Sequence, residues 1–258
     1  MELSPKIQEI VDNLRKLLGG EEFRFFESSV QKEIAKPPKV AIIGKTGVGK
    51  STTINALFGL QEKVSHTTHG TTEASKKIIE LPQGGKLEVI DMPGLGEDIE
   101  LDKEYTEIYQ RTLPEADVVL YVIQGNLKAL TEDEKILRDI VQNVMGNLKG
   151  RLVVGLNQVD KIGPGTWNTR FNFPSPEQED NINRRCQYIQ EKLSSALSIE
   201  VEQVEYYSAE KRYRLYNLLT AIIKASGNVG WKFTINPADP IALADPSLQD
   251  FLRQQLKG

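Results

Sequence analysis

Gly44-Lys45-Thr46-Gly47-Val48-Gly49-Lys50-Ser51 is the stretch whose reading decides the fold. It meets the phosphate-binding pattern GxxxxGK(S/T) at every specified position. Lys39-Val40-Ala41-Ile42-Ile43 before it is a short apolar, β-branched run that reads as a buried strand. Thr52-Thr53-Ile54-Asn55-Ala56-Leu57-Phe58 after it has apolar residues at helical spacing. In a strand, glycine loop and helix, backbone N–H groups turn inward around phosphate oxygens, and the helix N-terminus adds partial positive charge. Gly47, Val48, Gly49, Lys50, Ser51 and Thr52 are therefore the candidate phosphate contacts. Lys50 would reach the β- and γ-phosphates, and the Ser51 hydroxyl would be a ligand of Mg²⁺. The loop is expected to bind a nucleotide.

Outward from the loop, strand and helix patterns alternate. The sequence predicts strands over 39–43, 75–81, 86–91, 117–123, 151–157 and 203–207, and helices over 50–59, 101–113, 131–146, 177–197 and 211–225. Pro82-Gln83-Gly84-Gly85 joins the second and third strands as a tight turn, so that pair should be antiparallel. The other strands are separated by helices and should be parallel through right-handed crossovers. The expected fold class is a three-layer α/β domain with a mostly parallel six-stranded sheet and one antiparallel strand. Ligands of such sheets bind at the carboxyl ends of the strands.

The expected division is an N-terminal helical extension over 1–37, a nucleotide-binding domain over 38–226, and a C-terminal arm with a short helix over 227–258. The amphipathic stretch 4–18 opens with Ser4-Pro5 and closes at Gly19-Gly20. It reads as a helix packed on the main domain, with a dimer contact or a membrane-surface helix as the sharper alternatives. Its polar face mixes both signs of charge, which argues against the membrane. The whole chain of 258 residues is 39% hydrophobic, 26% charged and carries a net charge of −4, so it offers no basic footprint for nucleic acid. No apolar run approaches the roughly 18 residues of a membrane span. The single cysteine, Cys186, cannot form an internal disulfide and has no nearby His partner. It reads as a surface or half-buried thiol more than as a nucleophile, in a reducing compartment, and the expected location is cytoplasmic.

Three further segments carry chemistry, each after a predicted strand. Asp91-Met92-Pro93-Gly94 places a carboxylate that can hold Mg²⁺ through water, and a Gly94 N–H that can meet the γ-phosphate. Asn157-Gln158-Val159-Asp160 can set a carboxylate against the N1–H and 2-amino group of guanine. Adenine has an acceptor at N1 and no 2-amino group, so a buried Asp160 would be left unpaired against it. Asn157 would contact the base edge and tie loops together; an ordinary Asn/Asp loop cap is the competing reading. Tyr207-Ser208-Ala209-Glu210-Lys211 offers an Ala209 N–H to guanine O6, although Ser208 serves equally as a plain helix cap.

The series GKTGVGKS, DMPG, NQVD and SAEK resembles the GTPase domain of the translation-factor-related class, and most of all Era-like, septin-like and immunity-related GTPases. The likeness covers about residues 38 to 226. Trp167 to Ile182, with Pro174-Ser175-Pro176-Glu177-Gln178, also resembles bacterial members of the Era-like group. The resemblance implies binding of GTP and GDP with Mg²⁺, hydrolysis of GTP, and two switch segments that respond to the γ-phosphate. It places switch I in Val64-Ser65-His66-Thr67-Thr68-His69-Gly70-Thr71-Thr72. Thr72 is the implied ligand of Mg²⁺ and γ-phosphate, with Thr71 as the alternative. His66 or His69 would position water when the loop closes, or both belong to a polar loop and do nothing; His69 is the candidate catalytic residue beside Lys50, Thr72 and Gly94.

Three departures matter. Leu95 stands where related enzymes carry a water-orienting Gln, so the missing group must come from backbone, switch I or a partner. Gln158 replaces the usual lysine of NKxD and should weaken guanine binding. Gly47 replaces the Asn of potassium-activated relatives. The expectation is a slow GTPase switch whose candidate partners are a second copy meeting it across the nucleotide face and an effector of unknown identity. A nucleotide-dependent binding module with little turnover, or an ATPase with an accidental NQVD, are the competitors.

Overall fold

Val40, Ala41, Ile42 and Ile43 are each at most 1% exposed, so β1 (Lys39–Ile43) must lie inside a sheet covered on both faces. In the computed structural model it does. The structure describes residues 37–58, 73–80, 86–96, 99–126, 129–146, 148–202 and 204–228, with Asp12, Asn13, Lys16, Gly20, Glu21 and Arg24 helical before them. The rest of the N-terminal extension, the 64–72 loop with Thr71, Thr72, His66 and His69, the 82–85 turn and the C-terminal arm lie outside the described residues.

Around β1 are α1 (Lys50–Phe58), β2 (Ser75–Glu80), β3 (Lys86–Asp91), α2 (Ile99–Thr112) and β4 (Val118–Gln124). There follow α3, β5 (Leu152–Asn157), the short strands β6 (Trp167–Asn168) and β7 (Phe173–Pro174), α4 (Pro176–Leu197), β8 (Val204–Tyr206) and α5 (Leu215–Asn228). Helix α3 is composite: an α-turn at Thr131–Lys135, a π-helical middle at Ile136–Gln142, and a last α-turn at Asn143–Met145. The sequence predicts one α-helix over this stretch. The wider turn keeps Ile136, Leu137 and Val141 buried all the same.

The six-stranded sheet runs β2-β3-β1-β4-β5-β8. Only the β2–β3 pair is antiparallel; the pairs β1–β3, β1–β4, β4–β5 and β5–β8 are parallel. One face carries the core of Tyr109, Leu137, Ile182, Ile189 and Leu193 from α2, α3 and α4. The other packs Ile54, Leu57, Leu218 and Ile222 from α1 and α5. This is the expected three-layer architecture. The register pairs Ile42 with Asp91, Ile43 with Tyr121 and Gln124 with Asn157, so the chemistry-bearing residues finish at one edge. Among the described residues, no helix is long and apolar enough to cross a membrane.

Candidate functional site

At the carboxyl edge of the sheet the chain leaves β1 through Gly44, Gly47 and Gly49, all at positive φ, and enters α1 at Lys50. Gly49 is required twice over. Its φ is +93°, and a Cβ there would come within 2.5 Å of Asn157 Nδ2. Lys50 is buried; its Nζ donates to the carbonyls of Gly44 and Lys45, both at 3.1 Å. The ammonium is thus held over the loop where phosphate oxygens would sit.

Ser51 Oγ donates to Asp91 Oδ2 at 2.9 Å, which brings together the two side chains assigned to the metal. A hydroxyl beside a carboxylate is a hard oxygen donor pair of the kind Mg²⁺ takes alongside phosphate and water. Among the described residues, no group of three or more His, Cys, Asp or Glu could hold a metal by itself. Ser51 and Asp91 are the described side chains that would hold the ion beside the nucleotide. Gly94 passes so close to Thr46 that a Cβ would lie 2.4 Å from its Oγ1 and 2.7 Å from its Cα. The DMPG turn is pinned from behind: Tyr109 OH donates to Pro93 O at 2.9 Å, and Asp102 accepts from Gly96 N.

Leu95 is 2% exposed and lies in the core, with its carbonyl accepting from Thr46 N. A glutamine at this position would not face the γ-phosphate. Leu95→Gln should lower stability by about 1–3 kcal/mol, the cost of burying an unpaired amide, without raising GTP turnover. Urea unfolding and single-turnover kinetics check both parts; a faster Leu95→Gln enzyme would sink the reading.

On the base side, Asn157 joins three loops. Its Nδ2 donates to Val48 O (2.9 Å) and its Oδ1 accepts from Ala209 N (3.0 Å). The Ala209 N–H expected to meet guanine O6 is here hydrogen-bonded to Asn157, so O6 would share that donor. Gln158, at φ +61°, donates from Nε2 to Gly47 O (3.3 Å) and accepts from Gln124 Nε2 (3.2 Å). An amide thus reaches the phosphate loop from the position the expected lysine would occupy. Lys161 Nζ lies 3.4 Å from Gln158 Oε1 and returns a positive charge to this corner. The Oδ1 of Asp160 is fully buried and accepts no hydrogen bond. A bare buried acceptor is costly unless something donates to it, and the N1–H and 2-amino group of guanine fit. Ser208 Oγ accepts from Lys211 N at 3.1 Å, so the side chain serves the loop and leaves the base to backbone groups.

Thr72 and His69 fall outside the described residues, so the site residues brought together are Gly47 to Thr52, Asp91, Gly94, Asn157, Asp160, Ser208 and Ala209. Sequence reasoning missed four supports. Gln178, 1% exposed on α4, donates to the carbonyls of Ile162 (2.8 Å) and Asp160 (3.2 Å) behind the base loop. Asp133, 1% exposed on α3, pairs with Lys45 of the phosphate loop at 3.0 Å and accepts from Tyr121 OH at 3.0 Å. Burial nevertheless pushes its carboxyl above the ordinary range, against the pull of Lys45 and Tyr121. Gln124 and Asn172 complete the set. Cys186 is half-buried, and burial pushes its thiol up to about 12, so it is no nucleophile.

A phosphate loop between β1 and α1, a Ser–Asp pair at the next strand end and an Asn–Asp base loop after β5 define the class: a nucleotide-binding P-loop GTPase domain. Residues 39–158 match the family model described as 50S ribosome-binding GTPase. Over that stretch the chain is similar to Era-like P-loop GTPases. It is 32% identical over 149 residues to protein YfjP of Escherichia coli K12, covering 57% of this chain and 50% of that one. It spans about half the length of the curated relatives it matches. A structure of an Era variant from Aquifex aeolicus bound to GDP and AlF4⁻ superposes with a TM-score of 0.57 at 27% identity, covering 74% of this chain and 57% of that one. Toc33 from Arabidopsis thaliana, with Mg²⁺ and GMPPNP, shares the fold at a TM-score of 0.60 and 21% identity, over 80% of this chain and 90% of that one.

Proposed function

We propose that this chain binds GTP with Mg²⁺ and hydrolyses it slowly to GDP and phosphate, through a GTPase domain spanning 38–226. The observation that carries the guanine reading is Asp160, whose buried Oδ1 has no donor among the described residues. Lys50 and the inward N–H groups of the glycine loop would draw charge off the β- and γ-phosphates as the terminal bond breaks. Bound Mg²⁺ supplies Lewis-acid neutralisation of the phosphate oxygens. Ser51 and Asp91 would hold it, and Thr72 would join them when switch I closes. Gly94 would donate its N–H to the γ-phosphate, with His69 as the candidate for ordering water. Release of that contact after hydrolysis is what makes the segment after Gly94 a switch.

Leu95 supports the slow rate. It supplies no water-orienting group at its position, so turnover by the isolated chain should be on the order of 10⁻³ to 10⁻⁴ s⁻¹. A second copy meeting the first across the nucleotide face is the proposed source of the missing group. Dimerisation is important for the GTPase activity of the fold neighbour Toc33. The test is GTP turnover per molecule over a wide range of protein concentration, with ATP as control. A specific rate that climbs with concentration is the expected result. A flat, low rate with a monomer in a GTP analogue removes the dimer, and equal use of ATP removes the guanine reading.

A further inference from the structure

Between the base loop and α4 the chain makes an excursion that phosphate and metal binding do not require: the two-rung antiparallel hairpin β6–β7. It is attached to the loop after β8 as well as to its own neighbours. Asn172, 9% exposed and at φ +55°, donates from Nδ2 to Lys211 O at 2.7 Å. Its Oδ1 accepts from Trp167 Nε1 at 3.2 Å, which fixes the amide with its donor side toward Lys211. The Trp167 ring meets Tyr213 edge-on, with centroids 5.0 Å apart. Both grips fall on one closed turn. Ser208 and Tyr213 exchange backbone hydrogen bonds (3.2 and 3.0 Å), and Arg212 N donates to Ala209 O at 3.3 Å. The turn so held contains Ala209, the residue whose N–H would face guanine O6. Phe171 and Phe173, on either side of Asn172 in the chain, are exposed and stack on each other.

We propose that Asn172, oriented by Trp167, is a positioning residue for guanine recognition: it straps the 208–213 turn so that Ala209 N–H stands where O6 arrives. This deepens the guanine reading and rests on it. The strap acts on one edge of the base only. The N1 and 2-amino edge belongs to Asp160, whose loop is held separately by Gln178. Two affinity ratios therefore separate the roles. GDP against the 2-aminopurine riboside diphosphate, which lacks both O6 and the N1 proton, reports the strapped edge plus the N1 contact. The N1 part cancels when a variant's ratio is divided by that of the unaltered protein. GDP against IDP, which lacks the 2-amino group, reports Asp160.

The test variant is Asn172→Gly, because glycine accepts the left-handed backbone without strain. Asn172→Asp is its companion; it keeps the acceptor for Trp167 and turns a carboxylate oxygen on the Lys211 carbonyl. Both variants should cut the O6-dependent ratio about tenfold, the worth of one to two hydrogen bonds, and leave the IDP ratio within twofold. With GTP as substrate, KM rises by a similar factor and kcat holds, as for a lost binding contact. Phe171→Ser, at the exposed neighbour of Asn172, leaves both ratios unchanged. The strap is overturned if Asn172→Asp and Asn172→Gly leave the O6 ratio intact, if both ratios fall together, or if Phe171→Ser does the same damage. If the unaltered protein itself fails to prefer GDP to the O6-lacking analogue, the guanine reading falls and takes the strap with it.

Discussion

Asp160→Asn should weaken guanine nucleotide binding by roughly 10²- to 10³-fold while leaving the fold as stable as before or slightly more so. The two halves of this expectation have one cause. A carboxylate can accept from both the N1–H and the 2-amino group of guanine, and hydrogen bonds to a charged acceptor are worth about 1.5–3 kcal/mol each. Asparagine keeps one acceptor and turns an NH₂ against the other donor. About 3–4 kcal/mol of binding is lost, at 1.4 kcal/mol per tenfold. Within the protein, by contrast, the buried Oδ1 of Asp160 accepts nothing, so folding gains no hydrogen bond from it. A base with a carbonyl at C2 would suit the new NH₂ group, and xanthine nucleotides should gain where guanine ones lose. Displacement of a fluorescent nucleotide and urea unfolding measure the two halves. A loss of guanine affinity below threefold would mean that the carboxylate does not read the base.

Much of this site was legible because its signals are local and ordered. The run Val40-Ala41-Ile42-Ile43 reads as an interior strand, and glycines at set spacing after it fit a phosphate loop better than a turn that binds nothing. Asp91, Asn157 and Ser208 each follow a strand, and a parallel sheet sends all strand ends but that of antiparallel β2 to one edge. What was not legible depends on contacts distant in sequence or on ambiguous residues. Asn172 reaches Lys211 from 39 positions away, and β6 and β7 are two residues each, too short to show a period. Leu95 was visible as a departure, but its burial in the core was not. Gln158 was expected only to weaken the base loop. Its amide instead links Gly47 to Gln124, because the left-handed backbone at 158 directs the side chain at the phosphate loop. The π-helical middle of α3 buries the same residues an α-helix would, so apolar spacing could not reveal it. Asp133 sits between Glu132 and Glu134 in the first turn of α3, where acidic residues are ordinary partners of the helix dipole. Nothing in that pattern separates the one that is buried.

Asp133→Ala should cost the domain heavily. The Asp133 carboxylate lies between Lys45, whose side chain is 14% exposed, and the hydroxyl of fully buried Tyr121. Asp133→Ala leaves an ammonium without its close partner and a buried hydroxyl without an acceptor. Breaking a buried pair from one side costs about 3–5 kcal/mol, whereas replacing both members by apolar groups is often neutral. Glu132, 3.7 Å from Lys45 but largely exposed, can recover only part of the charge interaction. The expected loss is therefore about 3 kcal/mol, and Lys45→Met in the same chain should return a good part of it. The cost is also directed. Lys45 belongs to the phosphate loop and pairs in register with Leu95 at the start of the DMPG-following segment. Freeing Lys45 loosens the loop and the switch together, so nucleotide affinity should fall with stability in Asp133→Ala and recover with it in the double variant. Urea unfolding and nucleotide titration of the four proteins in that cycle give the coupling directly. A single-variant loss under 1 kcal/mol, or affinity that stays constant while stability drops, would show that the pair only fills space beneath the site.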